Sequence, residues 1–351
     1  MKAAVDPVAH IARWQDEFAA VRRDLHMHPE LGFEEHRTAE VVCSRLAALG
    51  VEHHAGIGRT GVVAVVRGRS DTRGRSVGLR ADMDALPMQE ENRFAHRSRY
   101  DGRMHGCGHD GHTTMLLAAA QYLHQTRRFD GTAYLIFQPG EEGYAGAREM
   151  IEDGLFERFP ADEVYALHNW PGLPPGRLGI TPGPAMAAAD RIAITIDGRG
   201  GHGAHPHASV DPVLVAGHLI TAVQSIVSRN VSPIDTAVVS LCAMHAGNPG
   251  AMSVIPAHAT LVGTVRTFLP ATQDMIERRL GELVPQIAAA FGATARIDYR
   301  RVYPATVNHD REAAFAAEVA EALVGRDNVA RNLPPSMGSE DFSFMLQAKP
   351  G

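Results

Sequence analysis

From about residue 60 to 183, short apolar runs alternate with stretches of helical periodicity, and several runs end beside a residue that can bind a cation or move a proton. Residues 61–67, 76–81, 132–138 and 163–168 read as strands, and 112–125 and 145–153 as helices between them. Alternation of this kind predicts an α/β domain with a largely parallel sheet. Asp82, Glu141, Glu142 and His168 each follow a strand. Ligands of open α/β sheets bind at that carboxyl edge, so the pattern points to one site fed by several strands.

After Pro182-Gly183-Pro184 the pattern changes. Residues 190–197, 236–245, 257–266 and 293–301 read as strands, with helices at 212–228 and 271–291. The order β-α-β-β-α-β is that of a ferredoxin-like unit. Residues 185–301 therefore read as a self-contained domain inserted into a larger one made of 1–184 and 302–351. A chain of 351 residues with 45% hydrophobic content is long enough for two such cores.

A formal net charge of −6 leaves no electrostatic footprint for nucleic acid. No run approaches membrane-spanning length, and the N-terminus lacks the apolar core of a signal peptide, so the sequence predicts a soluble, cytoplasmic protein with no membrane partner. Three widely spaced cysteines do not make a disulfide framework. Cys43, in the apolar helical run 39–49, and Cys242, in a strand-like run, read as small buried hydrophobes. Cys107 does not.

Cys107 lies in Met104-His105-Gly106-Cys107-Gly108-His109-Asp110-Gly111-His112, one thiol and three imidazoles in nine residues. Cys107 and His109 face the same way if that stretch is extended, which makes a chelate easy. The competing reading is a thiol nucleophile with its base, in which the Glu141-Glu142 pair has no obvious place. That pair follows a strand and a Pro139-Gly140 turn. Adjacent buried acids are costly without nearby cations, and divalent ions would supply them. His105 and His112 are left open between ligand, support and solvent.

Taken together, these blocks resemble the M20 metallopeptidases, specifically the amidohydrolase branch of hippurate hydrolases, N-acyl-amino-acid amidohydrolases and auxin-conjugate hydrolases. The resemblance runs through His28-Pro29-Glu30-Leu31-Gly32-Phe33, Arg80-Ala81-Asp82-Met83-Asp84-Ala85-Leu86-Pro87, the Cys107 segment, Gln138-Pro139-Gly140-Glu141-Glu142-Gly143, Ala166-Leu167-His168, Gly200-Gly201-His202 and Met337-Gly338-Ser339-Glu340-Asp341-Phe342. It implies a catalytic domain carrying two divalent metal ions and a smaller lid domain that can also dimerise. By position it implies Cys107, His109, Glu142 and His168 as metal ligands, with Glu141 as the carboxylate that activates water. Asp82 would orient a ligating histidine. In more distant relatives the first strand-end motif supplies a histidine ligand; this motif has none here, and the resemblance implies that the duty has moved to Cys107.

On the inserted domain the resemblance makes His202 the group that meets the developing oxyanion, sometimes from a neighbouring subunit. Asn248 and Arg266 would hold the substrate carboxylate, although Arg266 also reads as an ordinary sheet-edge ion-pair residue. The family pattern has a final histidine ligand in a Leu-His segment downstream of the Gly338–Phe342 block, beyond Gly351, so the expectation is that the fold continues past the given chain. The expected activity is hydrolysis of an N-acyl or N-aroyl amino acid, a small-molecule substrate, to a carboxylic acid and a free amino acid. A thiolate donor favours zinc, cobalt or nickel, whereas the family is often assigned manganese. Two rival readings are a cysteine hydrolase using Cys107 and a metal-containing protein that binds acylated amino acids without cleaving them.

Overall fold

The run Val62 to Val66 is apolar without interruption because its alternate residues enter different cores. Val62, Ala64 and Val66 pack into one cluster, and Val63 and Val65 into another on the opposite face of the sheet. The computed structural model describes residues 6–351. One compact unit runs to Gly183 and takes in Asn308–Leu333 and Asp341–Gly351; the other is Pro184–Val307 with Pro334–Glu340.

The first unit is built on five strands, β1 (Glu52–Ile57), β2 (Gly61–Arg67), β3 (Ser76–Asp82), β4 (Thr132–Gln138) and β5 (Glu163–Ala166), in the order β1-β2-β4-β3-β5. β3 is parallel to both β4 and β5, while β2 is antiparallel to β4 and to β1. The sheet is thus parallel over β4-β3-β5, as expected, and antiparallel where β2 and β1 extend it. β2 runs antiparallel to β4, and β1, an edge strand whose Glu52, His53 and His54 carry no apolar pattern, joins β2 as a hairpin. Helices Gln15–Met27, His36–Leu49 and His109–Thr126 cover one face with Leu25, Val42, Leu46 and Leu117. Gly146–Glu152, Leu155–Arg158 and Phe342–Ala348 cover the other with Met150, Leu155 and Met345. Truncating one of these fully buried leucines to alanine typically costs about 2–5 kcal/mol.

Register aligns the carboxyl ends of the three parallel strands. Asp82 stands opposite Gln138, and Arg80 opposite Ala166. The segments after β3, β4 and β5 therefore start from one edge. At the unit's junctions, the Asn308 side-chain amide donates to the Thr181 carbonyl at 2.8 Å, and the Leu333 N–H donates to Thr181 Oγ1 at 3.1 Å.

The second unit has a four-stranded, wholly antiparallel sheet of Ala237–Ala246, His258–Thr267, Ala188–Asp197 and Thr294–Tyr303, in that spatial order. This is the expected ferredoxin-like arrangement. Helices Pro212–Ala222, Gln224–Arg229 and Pro270–Ala290 contribute Leu219, Ile226, Leu280 and Val284 against Ile192, Ile194, Leu261 and Val265. The single helix read over 212–228 is two helices that meet at Val223. Among the described residues no helix is long and apolar enough to cross a membrane.

Candidate metal centre

The helix expected from residue 112 begins three residues earlier, at His109. Its first turn is His-Asp-Gly-His, which apolar periodicity does not register, and it closes through the His112 N–H to the Gly108 carbonyl at 3.2 Å. Gly108 adopts φ 87°, and a Cβ built on it would lie 2.5 Å from Asn169 Oδ1, so only glycine fits between Cys107 and the helix. His109 and His112, three apart, share a helix face with ring centroids 5.4 Å apart.

Donor atoms of Cys107, His109 and Glu142 lie within 4.8 Å of one another, as do those of Asp82, His109, His112 and His168. Cys107 Sγ is 3.4 Å from His168 Nε2, and His109 Nε2 is 3.9 Å from Glu142 Oε1 and 3.6 Å from Asp82 Oδ2. His109 Nε2 and Glu142 Oε1 are buried and take no hydrogen bond. Buried polar atoms normally have a hydrogen-bond partner, so two that face each other at 3.9 Å with none leave room for a cation that both could ligate. A thiolate, imidazoles and carboxylates suit a borderline divalent metal, and the residues present fit one.

The local charge points the same way. Asp82 is fully buried; burial opposes its ionisation, but His109, Arg80 and His112 hold its carboxyl well below the usual range. Burial works against a charge on His109, yet Asp82 and Asp84 beside it raise the imidazole well above its ordinary value. Burial raises the Glu142 carboxyl.

His112 is already engaged on both sides. Its Nδ1 lies 2.6 Å from Asp82 Oδ1, and its Nε2 accepts the Asn169 N–H at 3.0 Å. It therefore holds β3, the helix start and the segment after β5 together, and it offers no spare lone pair. The second Asp82 oxygen accepts from Arg80 Nη1 at 2.8 Å.

Glu141 and Glu142 sit in a turn that is not helical: Glu142 has ψ 65°, and Gly143 and Ala145 have positive φ. Buried acids from elsewhere in the chain capture the turn's backbone donors. Asp84 accepts the N–H of Glu141 at 3.0 Å and that of Glu142 at 2.9 Å, and its Oδ1 is 3.3 Å from His109 Nδ1. Asp341 accepts from Ala147 N–H, Gln138 Nε2 and Arg80 Nη2, and its own N–H reaches Glu141 Oε1 at 3.3 Å. Sequence reasoning gave Asp84 and Asp341 no role. The spacing Asp82-Met83-Asp84 held a clue, because residues two apart in extended backbone point the same way.

Residues 78–351 match the model of peptidase family M20/M25/M40. The chain belongs to the M20 family. Hippurate hydrolase of Campylobacter jejuni is 44% identical to this M20 chain over 343 residues, covering 97% of it and 88% of the relative. N-acetylcysteine deacetylase of Bacillus subtilis is 40% identical, over 94% of this chain and 85% of its own. An IAA-amino acid hydrolase of Arabidopsis thaliana is 38% identical, over 96% and 77%. The crystal structure of the YXEP protein of Bacillus subtilis, described as a dinuclear metal-binding peptidase of the M20 family, superposes with a TM-score of 0.80 at 34% identity, over 97% of this chain and 88% of that one.

In this M20 member the other candidate residues lie in the second unit. His202 ends the short strand Gly201–His202 opposite Val254, and its Nδ1 accepts the Ala204 N–H. Asn248 Oδ1 accepts the Gly250 N–H at 2.9 Å in an exposed loop. Arg266 is half-buried, with Nη1 bonded to Thr264 Oγ1 and to its neighbour's carbonyl. Burial lowers its pKa. Register separates them: Arg266 pairs with Val238 and Ala189, whereas Ala246, just before Asn248, pairs with Ala259. Seven residues of strand make about 23 Å between those levels. His202 follows the Asp197 end of its strand, which is the Asn248 end of the sheet.

Proposed function

We propose that this chain hydrolyses the amide bond of N-acyl or N-aroyl amino acids of the hippurate type, using two divalent cations held by Cys107, His109, Glu142 and His168. The observation that carries this reading is the pair of buried atoms without a hydrogen bond, His109 Nε2 at the start of its helix and Glu142 Oε1 on the turn that also presents Glu141. Names of relatives at 38–44% identity support the amide class and differ in acyl group and amino acid.

Bound divalent cations would lower the pKa of a water and polarise the amide carbonyl. Glu141 takes the proton of the attacking water and delivers it to the departing nitrogen. Asp84 fixes the backbone of both glutamates and the tautomer of His109, so base and ligands keep one spacing through the cycle. His202 meets the developing oxyanion, an interaction commonly contributing on the order of 3 kcal/mol. Arg266 holds the substrate carboxylate. Because Arg266 and the His202–Asn248 end lie about 23 Å apart along one sheet, a single substrate is served by Arg266 of one copy and by His202 and Asn248 of a second.

A second reading rests on the 3.4 Å approach of Cys107 Sγ to His168 Nε2, a thiol with an adjacent base. It leaves Glu142 and the second imidazole without work. Metal-loaded full chain is incubated with hippurate and N-acetyl amino acids while free amine is measured, with and without chelator. Chelator-sensitive release restored by metal supports the hydrolase. Release that ignores chelator and stops on alkylation supports the thiol reading, and binding without release would mean a binder.

A further inference from the structure

Gly140 opens the turn that carries Glu141 and Glu142, and its N–H donates to Glu35 Oε1 at 2.8 Å. The other oxygen of that carboxyl accepts from Thr60 Oγ1 at 2.6 Å. Glu35 has no exposed surface and belongs to none of the metal-ligating clusters. Thr60 closes the β1–β2 hairpin, whose Gly58 N–H donates to Asp153 just past the helix Gly146–Glu152. A Cβ on Gly58 would lie 2.6 Å from Met150 Cγ, so hairpin and helix are in direct contact. That helix starts where the Gly146 N–H donates to the Gly140 carbonyl at 3.0 Å. The contacts form a closed ring of Glu35, Gly140, the helix, the hairpin and Thr60.

An acid is an expensive way to join two neutral donors in a dry interior. Burial, reinforced by Asp84, pushes the Glu35 carboxyl up to about 7 against its hydrogen bonds from Thr60 and Gly140. The joint survives either protonation state. A carboxylate accepts from both donors, and a carboxylic acid accepts from Gly140 and donates to Thr60 Oγ1.

We propose that Glu35 is a positioning residue for Glu141, setting the height of the acid turn over the sheet edge by tying Gly140 to Thr60. The inference rests on Glu141 as the proton-transfer group. Glutamine reproduces the joint, with its oxygen on the Gly140 N–H and its amide N–H on Thr60. Alanine leaves the Gly140 donor unpaired and the turn free to shift.

The test compares Glu35→Gln, Glu35→Ala and Thr60→Val in the metal-loaded full chain by steady-state hydrolysis of hippurate, together with zinc affinity by chelator competition. Glu35→Gln should keep kcat within about threefold, while Glu35→Ala should lose about 100-fold in kcat with KM within about threefold. Zinc affinity of the alanine variant should fall about tenfold, because Glu142 rides on the same turn. Wild-type kcat in Glu35→Ala, or a glutamine variant as defective as alanine, overturns the proposal. Should Glu35→Ala not fold, Thr60→Val decides: a kcat loss of about tenfold supports it, and an unchanged kcat overturns it. If wild-type protein cleaves neither hippurate nor N-acetyl amino acids, the functional reading has failed, and zinc affinity alone decides on Glu35: unchanged affinity in the alanine variant overturns the role.

Discussion

Arg80 and Asp341, 261 positions apart, form a buried ion pair at 2.9 Å. The guanidinium also reaches Asp82 and Gln138, so one cation ties the ends of β3 and β4 to the segment that follows the second unit's last stretch. Removing one partner of such a pair leaves an uncompensated buried charge. Arg80→Met is expected to destabilise the first unit by about 3–5 kcal/mol. Urea unfolding followed by tryptophan fluorescence reads this, since Trp14 and Trp170 both lie in that unit. A change under about 1 kcal/mol would mean that the acids find other partners.

Glu141 is buried and contacts the Asp341 N–H, and Glu142 supplies the unpaired oxygen. Glu141→Gln should lower kcat by about 10²–10⁴-fold while elemental analysis finds unchanged metal content. Parallel loss of metal and activity would make Glu141 a ligand.

Metal binding should release protons. Asp82 and Asp84 raise the His109 pKa well above its ordinary value, so the metal-free imidazole holds a proton more tightly than a free histidine does and gives it up on ligation. Zinc titrations by calorimetry in two buffers of different ionisation enthalpy should show release of about one proton or more per chain. An apparent enthalpy independent of buffer contradicts this.

Glu35 also makes stability depend on pH. Its carboxyl titrates at about 7 in the fold against 4.5 in the unfolded chain, so the folded state holds the proton more tightly. The stabilisation is complete below pH 4.5, declines as pH rises, and is gone above 7, a swing of about 3 kcal/mol. In chelator-treated protein, Glu35→Gln should remove that part of the slope between pH 4.5 and 7. Parallel curves for variant and wild type would refute the assignment.

If His202 serves a second copy, mixing inactive variants should restore turnover. His202→Ala and Glu141→Gln, refolded together in equal amounts, should regain roughly a quarter of wild-type activity through mixed dimers. No recovery, with mixed dimers verified by mass, would place His202 beside its own chain's metals.

The strand-end positions of Asp82, Glu141 and His168 and the ferredoxin-like order of the second unit were legible in the sequence, because both follow from apolar periodicity and turn residues. The parallel run of β3, β4 and β5 was too, but the direction of β2 and β1 was not. Periodicity reports which faces are buried and says nothing about which way β2 runs beside β4, and a polar edge strand such as β1 leaves no periodic trace. His112 was ambiguous because its two partners, Asp82 and the Asn169 N–H, come from opposite sides of the chain. Asp84 had only its spacing from Asp82 as a clue, and Glu35 and Asp341 carried no local signal of their targets, since a carboxylate that caps a distant backbone N–H shows no spacing rule. Their acceptor role emerges only when the turn at Gly140 is folded.

Thr181 binds both Asn308 and Leu333, so the points where the chain leaves and re-enters the first unit are stitched to a single side chain and its carbonyl. Cys107, His109, Glu141, Glu142 and His168 all lie outside the stretch Pro184–Val307. That stretch is a cassette. Lineages could trade it, or a protein engineer could graft another in its place, while the candidate metal ligands and Glu141 stay where they are and the contacts proposed for His202, Asn248 and Arg266 are exchanged with it.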